Sequence, residues 1–414
     1  MSKRRKLTGE MSISSGLASA ARIDEILDAA SKHDNAKLER LLKEYKFKDV
    51  DALDVQNEDG TTPLHAAIES CTDGESTESG SQAAACDTVR LLLESGAIWN
   101  QLDKNNETPG CIAYRLGLLD LYDLMVDAGV RAEILLNRLE GYEKLGNEED
   151  DNTAQTEETT NIQADITTEA EDEAPALIDA SASSVNGDVD TDLDVNSANY
   201  LASDLTLTRD KLLDGEQNGV MMAWESDIMR KSAHMLLTKP NLKVLNIGAG
   251  MMIFDTFVQN HANKPDIHQI VEAHPDVLAN IEKEGWDKKR GVTVHAGKWQ
   301  DILPEMVAEN QTFDAIYYDT FAESYSNFRE FFTEYVIGLL EPEGKWSFFN
   351  GMGADRQISY DVYQKVAEMD LFEAGFDVEW HDMDIPELDA EWEGVKRKYW
   401  NVKKYRLPLC KFMG

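Results

Sequence analysis

An α/β fold, a seven-stranded Rossmann-like sheet over residues 199–414 preceded by an all-α module, is predicted by three features of this 414-residue chain. Short apolar runs alternate with amphipathic segments from Lys243 onward, the pattern of buried parallel strands and their covering helices. The first run, Val244–Ile247, stops at Gly248-Ala249-Gly250, where a strand hands over to a helix. Upstream, apolar residues recur at helical spacing over residues 21–145, and a Thr-Pro pair occurs twice.

Residues 1–20, rich in serine and charge, are expected to be disordered. Within them Lys3-Arg4-Arg5-Lys6 is either a nuclear-import patch or a solvated charged tail. Ile23, Ile26 and Leu27 then mark one helix face, and Leu38, Leu41 and Leu42 another. Asp59–Ser70, DGTTPLHAAIES, closely resembles the ankyrin signature of turn, Thr-Pro-Leu-His and helix. Val89–Ala97 is expected to be the second helix of that unit, stopped at Gly96. Asn105–Val130 repeats the theme: Thr108-Pro109 matches Thr62-Pro63, while Gly110-Cys111 replaces Leu-His in a degenerate unit. The spacing exceeds the roughly 33 residues of such repeats, which fits an insertion at Thr72–Ala84. His65 is expected to hydrogen-bond the turn backbone rather than to act chemically. So small a module buries little core, and is expected to be a protein-docking surface that leans on the next domain. Residues 146–198, dominated by acids, Ser and Thr and without an aromatic, are expected to form a disordered linker, a spacer or a mimic of an anionic partner.

The catalytic region begins with a mostly helical stretch over 204–235. Apolar runs at Val244–Ile247, Gln269–Val271, Val292–His295 and Phe313–Tyr318 predict four parallel strands, the second ending in Glu272 and the fourth in Asp319. A helix over Phe328–Leu340, a turn at Pro342-Glu343-Gly344, a strand ending near Asn350 and a helix over Val362–Ala374 follow. Strands over Phe376–His381 and Tyr399–Leu407 lack room for a crossover helix, so the last is expected to be antiparallel.

Gly248 and Gly250 let the backbone turn sharply and approach a ligand without an intruding Cβ. Glu272, about 20 residues on, stands where such folds place an acid on ribose hydroxyls. These two features alone also suit NAD or FAD. Two details favour S-adenosylmethionine. The turn GAGMMI lacks the third glycine that closes helix and strand over a pyrophosphate. Asp319 adds a carboxylate that suits a sulfonium and would repel a diphosphate.

The formal charge of −38 argues against nucleic acid or an anionic membrane surface as a direct partner, and for a basic protein. Cys71, Cys86, Cys111 and Cys410 form no CxxC pair, as expected of reduced intracellular thiols rather than disulfides, zinc or another metal site. No apolar run is long enough to span a bilayer. A cytoplasmic monomer with possible nuclear access is the expectation.

Residues from about 200 to 414 resemble guanidinoacetate methyltransferase, through MMAWESDIM, VLNIGAGMMI, VEAHPDV, GKWQDI and YYDTF. Joined to ankyrin-like repeats, that domain resembles the fungal protein arginine N5-methyltransferases. The resemblance implies an S-adenosylmethionine-dependent methyltransferase acting on the internal (δ) nitrogen of arginine in a basic, ribosomal protein. It implies a cofactor pocket of Met221, Met229, Gly248, Ala249, Gly250, Met251, Met252, Ile253, Glu272, Ala273, His274, Trp299, Gln300 and Asp319, with Tyr200 as a cover. Without it, Trp299 and the methionines read as core packing. Glu225 and Asp319 take the positions that orient the guanidinium, with Asp319 the proton acceptor; unaided, Glu225 reads as a surface helix residue. Asn246 departs from methyltransferases that carry an acid there to hold the amino-acid end of the cofactor. The alternatives are a small-molecule guanidine methyltransferase with a regulatory arm, a non-catalytic ankyrin scaffold with a relict domain, and an NAD-dependent enzyme.

Overall fold

A computed structural model describes residues 20–47, 50–72, 79–148 and 197–414. Lys3–Lys6 and nearly all of the expected disordered segments, 1–20 and 146–198, lie outside the described residues, as does part of the Thr72–Ala84 insertion.

The N-terminal region is all-α. Helix α1 (20–31) is followed by α2 (Asn35–Glu44), α3 (Pro63–Glu69), α4 (Ser79–Glu94), α5 (Pro109–Arg115) and α6 (Leu119–Glu148). The Thr-Pro pairs are helix starts. Thr62 and Thr108 cap α3 and α5 through their hydroxyls, and each proline sits in the first turn, where it lacks only an N–H that would be unpaired anyway. His65 is fully buried. Its Nδ1 accepts the Thr62 N–H at 3.2 Å, and its Nε2 donates to the Glu107 carbonyl at 3.1 Å, so it ties the loop before α3 to the loop before α5. Burial lowers its pKa and keeps the ring neutral. The end of the expected insertion is helical, since 79–84 form the first turns of α4.

After α7 (Ser197–Ala202), residues 204–222 depart from the helical expectation. They form a three-stranded antiparallel sheet of β1 (Thr206–Leu207), β2 (Lys211–Leu213) and β3 (Gly219–Met222). The turn Asp214–Asn218 decides this: Asp214 accepts the N–H groups of Glu216 and Asn218, and Gln217 takes φ +67°. Helix α8 (Ser226–Leu236) begins only afterwards.

The main sheet has seven strands: β4 (Lys243–Ile247), β5 (Ile267–Glu272), β6 (Val292–Ala296), β7 (Phe313–Tyr318), β8 (Leu340–Phe348), β9 (Phe376–Asp384) and β10 (Lys404–Phe412). Their order is β6-β5-β4-β7-β8-β10-β9, parallel except that β10 runs against both neighbours. The expected turn at Pro342–Gly344 is a bulge within β8, where Phe313 faces Leu340 but Ala315 faces Lys345. The last strand starts at Lys404 rather than Tyr399, because Trp400 is buried against Tyr360 and Tyr405, ahead of the ladder.

Val244 packs with α8, α9 (Ile253–Asn260) and α10 (Pro275–Lys283). Leu245 and Ile247 face the opposite layer of α11 (Trp299–Ala308), α12 (Tyr325–Glu330), its π-turn continuation Phe331–Val336, α13 (Ile337–Leu339) and α14 (Gln357–Glu373). The sheet is therefore covered on both faces. The strand order reverses between β4 and its neighbours β5 and β7, so a crevice opens at the carboxyl ends of these strands.

The two regions share one apolar core. Helix α6 packs along α14, and Ile358 and Val362 of α14 sit in the same cluster as Trp99, Ile112 and Met125. A Cβ on Gly110 would lie 2.1 Å from Ile358 Cδ1, and one on Gly129 would lie 2.7 Å from Val362 Cγ2. Tyr122 donates to Asp361 and Tyr363 to Glu133 across this seam.

Candidate functional site

At the crevice, Gly248 takes φ +85°, and a Cβ on it would lie 1.9 Å from the Asp319 carbonyl oxygen. Only glycine lets the ends of β4 and β7 come so close. Gly250 takes φ +48°, and its Cβ would meet the Met221 side chain at 2.7 Å. Glu272 fixes the turn from the side. Its Oε2 accepts the N–H groups of Ala249 at 2.8 Å and Gly250 at 3.3 Å, while Oε1 accepts that of His274 at 2.7 Å.

A cavity of about 670 Å³ opens over this turn. It is lined by Tyr200, Met221, Gly248, Gly250, Glu272, Ala273, Trp299, Gln300 and Asp319, with Ser197, Leu201, Val220 and Phe321 among the others. S-adenosylmethionine fits this lining: Glu272 would receive a ribose diol, Tyr200 and Trp299 offer aromatic faces, and Asp319 presents a buried Oδ2 with no hydrogen-bond partner. Trp299 combines both readings given to it, because it is packed edge-on against Tyr318, Phe331 and Tyr335 and also borders the cavity.

Other expected pocket residues stand off the lining. Met229 is buried in the α8 layer with Met221 and Leu236. Met252 is buried at φ +59° as the residue before α9, and Ile253 opens that helix. Ala249 is buried and offers its N–H to Glu272, while the Met251 N–H points at Met221 Sδ, 3.2 Å away. His274 lies beneath Tyr200, donating from Nε2 to the Tyr200 carbonyl at 3.1 Å with ring centroids 4.8 Å apart. These residues shape the wall; they do not border the cavity.

Asn246, the noted departure, is fully buried. Its Nδ2 donates to both oxygens of Asp255, at 2.9 and 3.0 Å, and to the Gly248 carbonyl at 3.1 Å. The acid beneath the glycine turn is thus supplied by α9, and His268 Nε2 lies 3.0 Å from Asp255 Oδ1.

A second cavity of about 1000 Å³ adjoins the first, sharing Val220, Asp319, Thr320, Phe321 and Glu323 with it. Its aromatic walls include Tyr318, Tyr325, Phe348, Phe349, Tyr363 and Tyr399, and its acids are Glu225, Asp319 and Glu323. Among the described residues lining it there is no Lys or Arg. Glu225 follows β3 and is 2 % exposed. Its Oε1 accepts from the Met222 N–H at 2.9 Å and from the Tyr399 hydroxyl in a very short contact. Burial raises the pKa of Glu225, against the lowering effect of those two donors. Burial, and next the charge of Glu225, raise that of Asp319 well above the usual carboxylate range.

Sequence reasoning missed Glu323 and Tyr399. Glu323 accepts from Trp299 Nε1 at 2.9 and 3.0 Å, Gln300 Nε2 at 3.1 Å, Tyr318 at 2.5 Å and Thr320 at 2.8 Å. One carboxylate thereby braces the partition between the cavities. The available signal was its place four residues beyond Asp319, in the loop after a strand of the crevice. Tyr399 gave none, since its partner lies 174 residues away.

The family model described as guanidinoacetate N-methyltransferase matches residues 188–409. Three fungal proteins, each named protein arginine N-methyltransferase 2, align over 94 % of this chain. That of Emericella nidulans is 58 % identical, with 96 % of its own length covered. Those of Aspergillus fumigatus and Aspergillus oryzae are 56 % and 54 % identical, covered over 96 % and 97 %. A glycine-turn pocket joined to an acid-lined chamber, and similarity along nearly the whole chain, place this protein in the protein arginine N-methyltransferase 2 family.

Proposed function

We propose that this enzyme methylates the internal δ nitrogen of an arginine side chain in a basic protein, with a ribosomal protein as the expected substrate. The observation that carries this is the chamber itself: two carboxylates for a guanidinium and, among the described residues lining it, no cation for the carboxylate of a free guanidino acid. That contrast favours protein over metabolite.

When bound, S-adenosylmethionine supplies a methyl group on a cationic sulfonium. Glu225 and Asp319 do the rest by position. Glu225 Oε1 is occupied by Tyr399 and Met222, which leaves Oε2 to accept a guanidinium N–H; the Asp319 Oδ2 has no partner. Carboxylates on the outer nitrogens localise positive charge there and leave the remaining nitrogen more nucleophilic. As the new N–C bond forms and the S–C bond breaks, Asp319 takes the proton released from nitrogen. An entering cation restores the ionised form of the raised pair. The likeness to the guanidinoacetate model supports the internal nitrogen, because guanidinoacetate is methylated on its substituted nitrogen, the counterpart of Nδ.

In this reading α1–α6 are two ankyrin-type units that dock the protein substrate or a partner, supported by the paired Thr-Pro helix starts and the His65 bridge. The test is incubation with methyl-labelled S-adenosylmethionine and an extract from cells lacking the enzyme. Labelled protein is hydrolysed and its methylarginine fragmented by mass spectrometry. A methyl retained on the internal nitrogen is the expected result. Label on terminal nitrogens would overturn the site, and label confined to small molecules would establish the metabolite enzyme instead.

A further inference from the structure

Asn350 stands just past the carboxyl end of β8, in the wall of the substrate chamber. The parallel pairing of β7 with β8 runs beyond both strand ends: Tyr318 faces Phe348, and the Phe349 N–H donates to the Tyr318 carbonyl at 2.9 Å. Asn350 is thereby set beside the end of β7 that carries Asp319. Its own N–H donates to the Tyr405 hydroxyl at 2.9 Å, and the charges of Glu225 and Asp319 both act on that tyrosine. The cofactor cavity, by contrast, is lined without Asn350.

The Asn350 side chain is buried and held in one orientation. Its Nδ2 donates to the Arg406 carbonyl and to the Tyr360 hydroxyl, each at 3.1 Å. A carbonyl only accepts, so that edge of the amide is the nitrogen and the other edge is the oxygen. Oδ1 accepts no hydrogen bond among the described residues. The hydroxyls of Tyr318, Tyr325, Tyr363 and Tyr399 in the same wall are each turned onto a carboxylate by the bond they donate. Asn350 therefore brings an uncommitted neutral acceptor, fixed by two bonds, to a chamber whose charged groups are acids.

We infer that Asn350 Oδ1 is a third acceptor for the substrate guanidinium, binding an outer N–H that the two carboxylates leave unpaired. The inference rests on the reading of the chamber as a guanidinium site. A guanidinium presents five N–H donors in one plane. Asp319 faces the internal nitrogen whose proton it takes, and Glu225 has only Oε2 to offer, because Oε1 already holds Met222 and Tyr399. An outer N–H taken out of water without an acceptor would cost its desolvation. A third contact also fixes the plane of the group in front of the methyl donor, which two contacts leave free to tilt. A neutral amide suits the place: a third carboxylate would raise the pKa of its acidic neighbours further and hold the guanidinium protonated.

The test measures initial rates of methyl transfer by the full-length enzyme into extract from cells lacking it, at varied extract and S-adenosylmethionine concentrations. N350A is expected to lose about 10–100-fold in kcat/KM for extract protein, while its affinity for S-adenosylmethionine, read by calorimetry, stays within about twofold of wild type. Y360F removes the hydroxyl that anchors the amide but keeps Oδ1, and is expected to lose about threefold or less. N350D keeps an acceptor, so its KM for the extract is expected to stay near that of wild type while the added charge lowers kcat about tenfold. A loss in N350A no larger than in Y360F makes Asn350 an anchor alone and overturns the inference, with the guanidinium reading left standing. Should N350A fail to fold, a KM raised more than about tenfold in N350D overturns it equally. Wild type that labels neither protein nor small guanidines overturns the reading itself.

Discussion

The burial of Glu225 and Asp319 sets function against stability. A carboxyl whose folded pKa is raised binds a proton that the unfolded chain has already released. Such a group therefore costs stability above its unfolded pKa, increasingly as pH rises toward its folded value. Asp319→Asn and Glu225→Gln are each expected to slow methyl transfer by about 10²–10⁴-fold while S-adenosylmethionine binding, followed by calorimetry, persists. Both variants are also expected to melt higher than wild type at pH 8, by about 2–4 °C for each kcal/mol relieved. Wild-type turnover in both would remove the assigned roles. The same raised pair gives the pH dependence its sign: ionised acids receive the guanidinium, so kcat/KM falls as pH drops below the pair's raised range, and Asp319→Asn flattens that limb. Glu323 makes a different prediction. Gln in its place lacks the second carboxylate oxygen that receives Tyr318 and Thr320, so Glu323→Gln is expected to raise KM for S-adenosylmethionine several-fold with a smaller fall in kcat. An unchanged KM would confine Glu323 to the core.

Among the elements, the glycine turn after β4 is the least forgiving. Gly248→Ala places a methyl against the Asp319 carbonyl at a φ that L residues disfavour, and something must shift. The expected outcome is loss of cofactor binding together with a stability loss of about 1–3 kcal/mol, from strain alone, read by calorimetry and thermal melting. A variant that binds normally would show that β4 and β7 can separate without opening the pocket. Local pattern made the four parallel strands legible, because each is a short apolar run bounded by turn residues, and β4 and β7 are buried on both faces. It misplaced the last strand and missed β1–β3. Those three strands are two to four residues long, and one carboxylate, Asp214, organises their turn, which no apolar period reveals.

For the molecule as a whole, the seam between α6 and α14 matters most. Tyr363 and Ala367 of α14 line the substrate chamber, while Ile358 and Val362 of the same helix pack under the N-terminal helices. Removing residues 1–148 would expose that apolar face, so the remaining domain is expected to melt lower and to aggregate rather than behave as an independent enzyme. Gly110→Leu is the gentler test, since any side chain there meets Ile358. It is expected to lower the melting temperature and loosen the seam, seen as faster amide exchange in α14. Protection equal to wild type would show that α14 holds its position unaided. None of the helices in the described residues is long and apolar enough to cross a membrane.

The sequence by itself determined the α/β class, the strand that ends in a glycine turn, the acids Glu272 and Asp319 closing their strands, and the Thr-Pro helix starts. All of these are local: each follows from the period of apolar residues or from a turn or cap within a few positions. Tertiary structure alone decided which of them meet. It joined Glu225 to Asp319 and to Tyr399, moved the acid below the turn to Asp255, and made Glu323 the brace between two cavities. The Glu225–Tyr399 pair spans 174 residues, and even the shorter Trp299–Glu323 and Asn246–Asp255 pairs depend on how strands and helices pack around one sheet, which no apolar period encodes.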